Sequence, residues 1–265
     1  MTASRPAPPP AEALSLAHAL ADAAGVAQRR YFRTPVSVES KADESPVTIA
    51  DREAEQVMRD LIRKRFPGHG ILGEEFGSAD LDAEFVWVLD PIDGTKSFIT
   101  GRPLFGTLIA LLHGGVPVLG IIDQSIIGER WQGVLGEPST HNGKPIRVRS
   151  CATLDQAVLF ATSPRIFDTS ELRRAYQRLE DEVRLPMFGG DCYAYGLLAM
   201  GFADLVVEAS LQPYDFMALI PVITGAGGML TDWSGGTLTL RSGGAVIAAG
   251  DGRTHAAARA VLNLS

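Results

Sequence analysis

Long apolar runs, cysteine and basic charge are all scarce in this sequence. No apolar run approaches the ~20 residues of a membrane-spanning helix, which argues against an integral membrane protein. The two cysteines, Cys151 and Cys192, provide no disulfide framework, so a reducing cytoplasm is the expected compartment. Residues 1–10 lack the basic region and apolar core of a secretory signal, and their prolines predict a short disordered tail.

Positive charge is in deficit, because 24 Lys and Arg residues face 31 Asp and Glu residues. The net charge of −7 disfavours a nucleic-acid-binding groove. The chain has 265 residues, of which 46% are hydrophobic and 21% charged. These values suit one large or two modest globular domains with a sizeable core. An acidic protein that handles phosphate groups would need metal ions to offset the charge repulsion.

The first half of the chain, residues 11–148, is predicted to combine early helices with a largely antiparallel sheet. One helix is expected over 11–32, a polar loop over 39–46, and a second helix after Thr48 and Asp51, which resemble a capping box. Apolar runs predict strands over 71–72, 85–89, 106–112, 116–122 and 129–134. Hairpin turns are expected at His113–Gly115 and at Asn142–Gly143.

The second half, residues 149–265, alternates helical and strand patterns beyond a soft boundary at Arg147–Ser150. Helices are predicted over 171–182, 193–200, 216–224 and 255–262. Strands are predicted over 203–208 and 245–249. Such alternation favours an α/β layer.

The stretch Asp90-Pro91-Ile92-Asp93-Gly94-Thr95 carries the strongest chemical signal, and we call it the Asp90–Thr95 motif. It follows the apolar strand 85–89 and places two carboxylates three residues apart around a proline-fixed turn. Rigidly held carboxylates suit a hard divalent cation. The amides of Gly94 and Thr95, at a helix start, suit a phosphate group. An ordinary turn after a strand remains an alternative for this hexapeptide by itself.

Two further acids occupy similar positions at the ends of predicted elements. Glu74 follows the short strand 71–72, and Asp215 precedes an apolar helix, where a helix cap would lie. Taken singly, Glu74 suits a solvated acid and Asp215 suits a plain cap. Taken with Asp90 and Asp93, they are sufficient for a site that binds two or more Mg²⁺ ions.

The order and spacing of these motifs resemble the inositol monophosphatase family of Mg²⁺-dependent, lithium-sensitive phosphatases. The resemblance runs from about residue 41 to residue 228, through Gly73-Glu74-Glu75, the Asp90–Thr95 motif, and Asp215 ahead of Gly227-Gly228. It is closer to the histidinol-phosphate phosphatase branch over the following segments: Trp87–Gly101, Pro103–Ile109, Gly120–Gln124, Asp191–Tyr195 and Pro213–Asp215.

The resemblance implies an α+β fold, a layered α-β-α-β-α sandwich of the inositol monophosphatase and fructose-1,6-bisphosphatase type, assembled as a homodimer. It implies about two or three Mg²⁺ ions per site, held by Glu74, Asp90, the Ile92 carbonyl, Asp93 and Asp215. Asp51 would hold outer-sphere water for a third ion, although a simple first-turn acid is equally open. Lys41 matches a loop position of the family, and a solvated lysine is its alternative.

The implied reaction is hydrolysis of a phosphate monoester. Two ions would clamp the attacking and leaving oxygens of an in-line phosphoryl transfer, with Asp90 shared between them. Glu74 and Thr95 would orient the attacking water. The phosphate would lie on the amides of Asp93, Gly94 and Thr95. Cys192 is expected to be a packing residue and not a nucleophile.

The implied substrate is L-histidinol phosphate, which would be converted to L-histidinol and phosphate in histidine biosynthesis. Asp191 and Glu208 are the candidate acids for its ammonium group, and Asp191 could instead cap its helix. Inositol-1-phosphate or a related sugar phosphate is the alternative substrate. A metal-binding scaffold without activity is a remote alternative. Glu74 and Thr95, the groups that would orient a water molecule, are both present, and a protein without activity would not need them. No nucleic-acid or membrane partner is expected.

Overall fold

The computed structural model describes residues 9–35, 38–40 and 46–263. Lys41 and residues 1–8 of the expected tail lie outside these ranges. The helices are α1 (Ala11–Tyr31), α2 (Ile49–Arg65), α3 (Thr95–Ile99), α4 (Ser170–Glu182), α5 (Asp191–Ala199), α6 (Pro213–Phe216), α7 (Leu219–Gly225) and α8 (Gly252–Leu262). Short 3₁₀ turns cover Leu154–Gln156 and Pro164–Ile166.

The strands form a two-stranded, an eight-stranded and a five-stranded sheet. They are β1 (Val38–Ser40), β2 (Pro46–Thr48), β3 (Gly70–Gly73), β4 (Gly77–Ala79), β5 (Phe85–Asp93), β6 (Gly106–His113), β7 (Val116–Gln124), β8 (Glu129–Val134), β9 (Thr140–His141), β10 (Lys144–Pro145), β11 (Val158–Ala161), β12 (Leu185–Phe188), β13 (Leu205–Glu208), β14 (Met229–Asp232) and β15 (Val246–Ala249).

The eight-stranded sheet carries α1 and α2 on one of its faces. Its order is β10-β9-β8-β7-β6-β5-β3-β4, and β3 pairs with β5 in parallel whereas its other pairs are antiparallel. Because successive side chains of a strand point to opposite faces, Trp87 and Leu89 pack together against the two helices. Small helix residues such as Ala17 and Ala24 are fully buried there. The predicted strands of this half are confirmed, and their pairing is antiparallel except between β3 and β5.

The opposite face of this sheet packs on a middle layer formed by α5, α6 and α7. Val86 and Val88 share one core cluster with Leu198 and Val222 of these helices. The same cluster includes Val206 of the five-stranded sheet, whose order is β12-β11-β13-β15-β14. One core therefore crosses the expected boundary at 147–150, and the division into two halves stays a prediction.

Helices α4 and α8 cover the outer face of the five-stranded sheet. Leu205 and Ile247 of the strands pack with Leu179 of α4 and Ala258 of α8. The layers therefore alternate as α-β-α-β-α, which confirms the expected sandwich.

Two expectations about local structure are wrong. The expected loop 39–46 is wrong at its ends, because Glu39 and Ser40 belong to β1 and Pro46 to β2, which form an antiparallel pair, and residues 41–45 lie outside the described residues. The expected helix 216–224 is broken into α6 and α7 around Met217–Ala218. Pro221 has no amide hydrogen to donate to the carbonyl four residues before it, so the regular helical hydrogen bond to Met217 is missing where the break lies. Among residues 9–35, 38–40 and 46–263, the helices are too short or too polar to cross a lipid bilayer.

A β-bulge at the end of β5 positions the Asp90–Thr95 motif. The β5–β6 ladder pairs Asp90 with Leu108 and then Asp93 with Gly106. Pro91 and Ile92 therefore face the single residue Thr107, which is the count that defines a bulge. Proline is tolerated inside a sheet mainly at such irregular positions. The bulge turns the chain out of the sheet where the two carboxylates lie.

Candidate active site

Three carboxylates from two distant parts of the chain converge at the end of β5. Asp90 and Asp93 belong to the bulge, and Asp215 lies in the first turn of α6. One oxygen from each lies within 4.8 Å of the others. Asp90 is also fixed locally, because its Oδ1 accepts a hydrogen bond of 3.0 Å from the Ile92 amide. The sequence prediction that these acids come together is therefore confirmed in space.

The cluster is electrostatically costly without a cation. Burial raises the pKa of Asp90 well above its usual range, and the carboxylates of Glu74 and Asp93 raise it further. Burial also raises the pKa of Asp215 to about 7, with Glu74 adding to the effect. Glu74, in the turn directly after β3, is thus near enough to act on both acids. Within residues 9–35, 38–40 and 46–263, no Lys or Arg forms an ion pair with Asp90, Asp93 or Asp215.

Carboxylates with converging oxygens, of which Asp90 is buried and Asp93 and Asp215 are half-buried, are what a hard divalent cation requires. Buried charge is tolerated when it is paired or coordinates a metal. The residues present therefore fit Mg²⁺, and Asp90, Asp93 and Asp215 with the neighbouring Glu74 and the Ile92 carbonyl would hold it.

Thr95 is linked to Asp51 across the site. Its hydroxyl lies 3.4 Å from Asp51 Oδ1 and 3.2 Å from the carbonyl of Ile92. The other Asp51 oxygen accepts hydrogen bonds from the amide and hydroxyl of Thr48, at 2.9 Å and 2.6 Å. The predicted capping box is therefore confirmed. Asp51 is also positioned to fix the Thr95 hydroxyl, a contact that the sequence did not predict.

The helix α3 starts at Thr95, as the sequence predicted. Its N-cap, Gly94, has φ of 87°, a left-handed conformation that glycine adopts without strain. The first amides of a helix have no carbonyl partner inside it, and they favour an anion. The start of α3 therefore presents amide donors beside the carboxylate cluster, as expected for a phosphate site.

Glu55 and Arg59 of α2 hold the turn that contains Glu74. Glu55 Oε2 accepts a hydrogen bond of 2.7 Å from the Glu75 amide, and its Oε1 accepts one of 3.2 Å from the Phe76 amide. Arg59 donates to Glu55 at 2.7 Å and to the carbonyl of Gly77. Sequence reasoning missed this buried pair. The available signal was its placement, because Glu55 and Arg59 follow Asp51 at four-residue steps on the buried side of α2.

Comparisons with known proteins identify the family of this chain. The model of the inositol monophosphatase family matches residues 10–264. The chain belongs to the inositol monophosphatase family. It is 52% identical over 250 residues to a protein of Arabidopsis thaliana named bifunctional phosphatase IMPL2, chloroplastic, covering 91% of this chain and 72% of that protein. It is 37% identical to a histidinol-phosphatase of Mycobacterium tuberculosis, covering 84% and 88% of the two chains.

Solved structures of this family share the fold. An inositol monophosphatase from Zymomonas mobilis superposes with a TM-score of 0.88 at 49% identity, over 95% of this chain and 97% of that one. The family and its members are phosphatases, and the family is metal-dependent. The carboxylate cluster is where this chain could bind the metal.

Asp191, at the start of α5, lies against Gly94 of the Asp90–Thr95 motif and against Ser97 of α3. Its carboxylate accepts a hydrogen bond of 2.8 Å from Ser97 Oγ, and a Cβ added to Gly94 would lie 2.6 Å from Asp191 Oδ2. The N-cap of α5 is Gly190, which receives no side-chain cap. The capping alternative for Asp191 is therefore wrong. Asp191 has φ of 45°, an uncommon conformation for a residue other than glycine.

Glu208, at the end of β13, is buried with both oxygens bonded. Oε1 accepts from the Thr162 amide at 2.9 Å, and Oε2 accepts from the Tyr195 hydroxyl at 3.1 Å. Burial raises the pKa of Glu208 to about 7. Asp191 and Glu208 both raise the pKa of Asp93, after the larger effect of burial. The two candidate acids therefore share the electrostatic environment of the cluster.

The backbone and cations around Asp191 complete this part of the site. The Cys192 amide donates to Asp93 Oδ2 at 2.5 Å, which joins the start of α5 to the cluster. Burial raises the pKa of the Cys192 thiol well above its usual range, which supports the expected packing role. Arg102 and Lys96 lower the pKa of Asp191, although burial raises it overall. Arg102 and Lys96 were not among the predicted site residues.

The raised pKa values predict how Mg²⁺ changes stability with pH. In metal-free protein the folded state keeps protons on Asp90, Asp93 and Asp215 that the unfolded state has lost. The free energy of unfolding should therefore fall as pH rises from about 4 to about 7. Excess Mg²⁺ should remove this fall by replacing the protons. Thermal unfolding in chelator and in Mg²⁺ at several pH values tests this, and parallel curves would contradict it.

Proposed function

We propose that this protein is a Mg²⁺-dependent histidinol-phosphate phosphatase of histidine biosynthesis. The observation that carries the substrate assignment is Asp191, a carboxylate held by Ser97 beside the start of α3, the proposed phosphate site. Histidinol phosphate carries a primary ammonium beside its phosphate-bearing carbon. A carboxylate at that position suits a charge-assisted hydrogen bond to it. Relatives named histidinol-phosphatase support the same substrate.

The reaction is hydrolysis of the phosphate ester, with Glu74, Asp93 and Thr95 as catalytic residues. Bound Mg²⁺ would lower the pKa of a water molecule and offset the charge of the phosphate. Asp51 fixes the Thr95 hydroxyl, which together with Glu74 orients the attacking water. The amides of Asp93, Gly94 and Thr95 hold the phosphate oxygens. Asp191 accepts from the ammonium, and Glu208, on which Asp191 acts electrostatically, is the second acid of this pair.

Inositol-1-phosphate or a related sugar phosphate is the second candidate substrate. It is favoured by the likeness to the inositol monophosphatase of Zymomonas mobilis, at 49% identity over most of both chains. The name of the Arabidopsis relative, a bifunctional phosphatase, is compatible with hydrolysis of more than one ester.

A panel of phosphate esters tests the assignment. Phosphate release is measured from histidinol phosphate, inositol-1-phosphate, fructose-1,6-bisphosphate and adenosine bisphosphate, with Mg²⁺ and with chelator. We expect the highest kcat/KM for histidinol phosphate and no release in chelator. A higher kcat/KM for inositol-1-phosphate would select the second candidate. Release that persists in chelator would contradict the metal-dependent reaction, and no release from any ester would favour a scaffold.

Lithium sensitivity is also proposed, because the family resemblance implies it. Li⁺ should occupy one metal position after hydrolysis and inhibit uncompetitively or nearly so. Initial rates at saturating Mg²⁺ and substrate, with millimolar Li⁺ and with K⁺ as the control, measure the effect. An unchanged rate in Li⁺ would count against this arrangement of metal positions and would leave hydrolysis itself intact.

A homodimer is the proposed assembly. Strand β12, at the edge of the five-stranded sheet, exposes Leu185, Met187 and Phe188 by 47%, 39% and 40%. An apolar edge strand is a surface that another chain can cover. Light scattering after gel filtration gives the mass, and a monomer at micromolar concentration would contradict the dimer. The cytoplasm is the proposed compartment, since both cysteines are free.

A further inference from the structure

The carbonyl of Pro91 is held by side chains in the β-bulge of the Asp90–Thr95 motif. Thr107, the residue opposite the bulge, donates its hydroxyl to Pro91 O at 3.0 Å. Gln28, from α1, donates its Nε2 to the same carbonyl at 2.7 Å. Both side chains are fully buried. Two side-chain donors therefore hold the carbonyl of Pro91, the residue between Asp90 and Ile92.

These donors are themselves fixed by a short buried chain of hydrogen bonds. Gln28 Nε2 also donates to Thr107 Oγ1 at 2.5 Å, and Ser125 Oγ donates to Gln28 Oε1 at 2.6 Å. The Gln28 amide is thus oriented with its NH₂ towards the bulge and its oxygen towards Ser125. A fully satisfied buried network of this kind specifies one conformation.

We propose that Gln28 and Thr107 are positioning residues that hold the bulge in the conformation that binds Mg²⁺. The inference rests on the proposed metal-dependent function. Pro91 lies between Asp90 and the Ile92 carbonyl, both proposed ligands. Rotation of the peptide that carries Pro91 O would turn the Ile92 amide away from Asp90 Oδ1, which it now contacts at 3.0 Å. Fixing Pro91 O therefore fixes the Ile92 amide that orients Asp90.

The competing explanation is that these hydrogen bonds stabilise the fold and have no separate effect on metal. Thr254 provides a matched control for that explanation. Like Thr107, it is fully buried and donates its hydroxyl to a backbone carbonyl, that of Cys151. It lies in α8, outside the carboxylate cluster. Thr107→Val and Thr254→Val each remove one buried hydroxyl with little change in shape.

The experiment measures Mg²⁺ binding to the full chain by titration calorimetry without substrate, together with thermal unfolding. Removing groups that orient metal ligands typically weakens metal binding 10- to 100-fold, so we expect Thr107→Val to raise the Mg²⁺ Kd about tenfold. Thr107→Ser, which keeps the hydroxyl, should restore binding. Gln28→Leu should also raise the Mg²⁺ Kd. Thr254→Val should lower the unfolding temperature and leave the Mg²⁺ Kd unchanged.

Two results would overturn the inference. One is a Thr107→Val variant that binds Mg²⁺ as the wild type does, and the other is equal weakening in Thr254→Val. Because binding is measured without substrate, failure of the histidinol-phosphate assignment is a separate outcome. A wild-type protein that binds Mg²⁺ but does not hydrolyse histidinol phosphate refutes the substrate alone. A wild-type protein that does not bind Mg²⁺ overturns both proposals.

Discussion

Asp90→Asn is expected to lower kcat roughly 1,000-fold or more while the protein stays folded. Asp90 is the proposed ligand shared between metal ions, and such ions stabilise a transition state by several kcal/mol. Because each 1.36 kcal/mol corresponds to a tenfold change in rate, a loss of about 4 kcal/mol gives a decrease of roughly 1,000-fold. The fold should survive because an asparagine Oδ1 can accept the hydrogen bond from the Ile92 amide. Removing one buried charge also relieves the repulsion from Glu74 and Asp93. The measurement is kcat at saturating Mg²⁺ with the unfolding temperature.

Asp123→Asn is the matched control for this prediction. Asp123 is also buried, with 5% exposure, but it pairs with Arg130 at 2.7 Å and is not part of the carboxylate cluster. Its substitution should lower stability and leave kcat within a factor of about three, as for sites away from the chemistry. Near-normal kcat in Asp90→Asn at saturating Mg²⁺ would rule out the shared-ion arrangement.

Asp191→Asn is expected to lower kcat/KM for histidinol phosphate at least about 30-fold, which corresponds to the ~2 kcal/mol lost when a partly buried charge pair is broken. An ester without an amine, such as glycerol 2-phosphate, should lose much less, because it offers no ammonium to the carboxylate. Asparagine is preferred to alanine, because the residue at this position has φ of 45° and asparagine tolerates that conformation. The measurement is the ratio of kcat/KM for the two esters.

Ser97→Ala is the control for the Asp191 prediction. It removes the hydrogen bond to Asp191 at 2.8 Å but keeps the charge, so the ratio between the two esters should change far less than in Asp191→Asn. Equal losses on both esters in Asp191→Asn, or a lower unfolding temperature with an unchanged ratio, would remove Asp191 from amine recognition. Its role would then be to support the start of α5 beside Gly94.

The sequence by itself determined the secondary structure of the core and the carboxylate cluster. The apolar runs of β5 to β8 and the helical pattern of α1 each lie within consecutive residues, so local order is sufficient to find them. The Asp90–Thr95 motif is equally local, because its proline, glycine and carboxylates determine one turn. Asp215 could not be identified as a candidate ligand from its own surroundings. Its spacing from the Asp90–Thr95 motif identified it, through the resemblance to the family.

Only the tertiary structure decided which side chains support these ligands. Gln28 and Thr107 reach the same carbonyl from positions 79 residues apart, and no periodicity relates them. Glu55 holds the turn after Glu74 from 20 residues away, and Asp191 contacts Ser97 across 94 residues. The short strands β1 and β2 have no alternation of apolar and polar residues from which the sequence could predict them. Each of these contacts depends on how layers pack, because a buried polar group must find its partner wherever the fold places one.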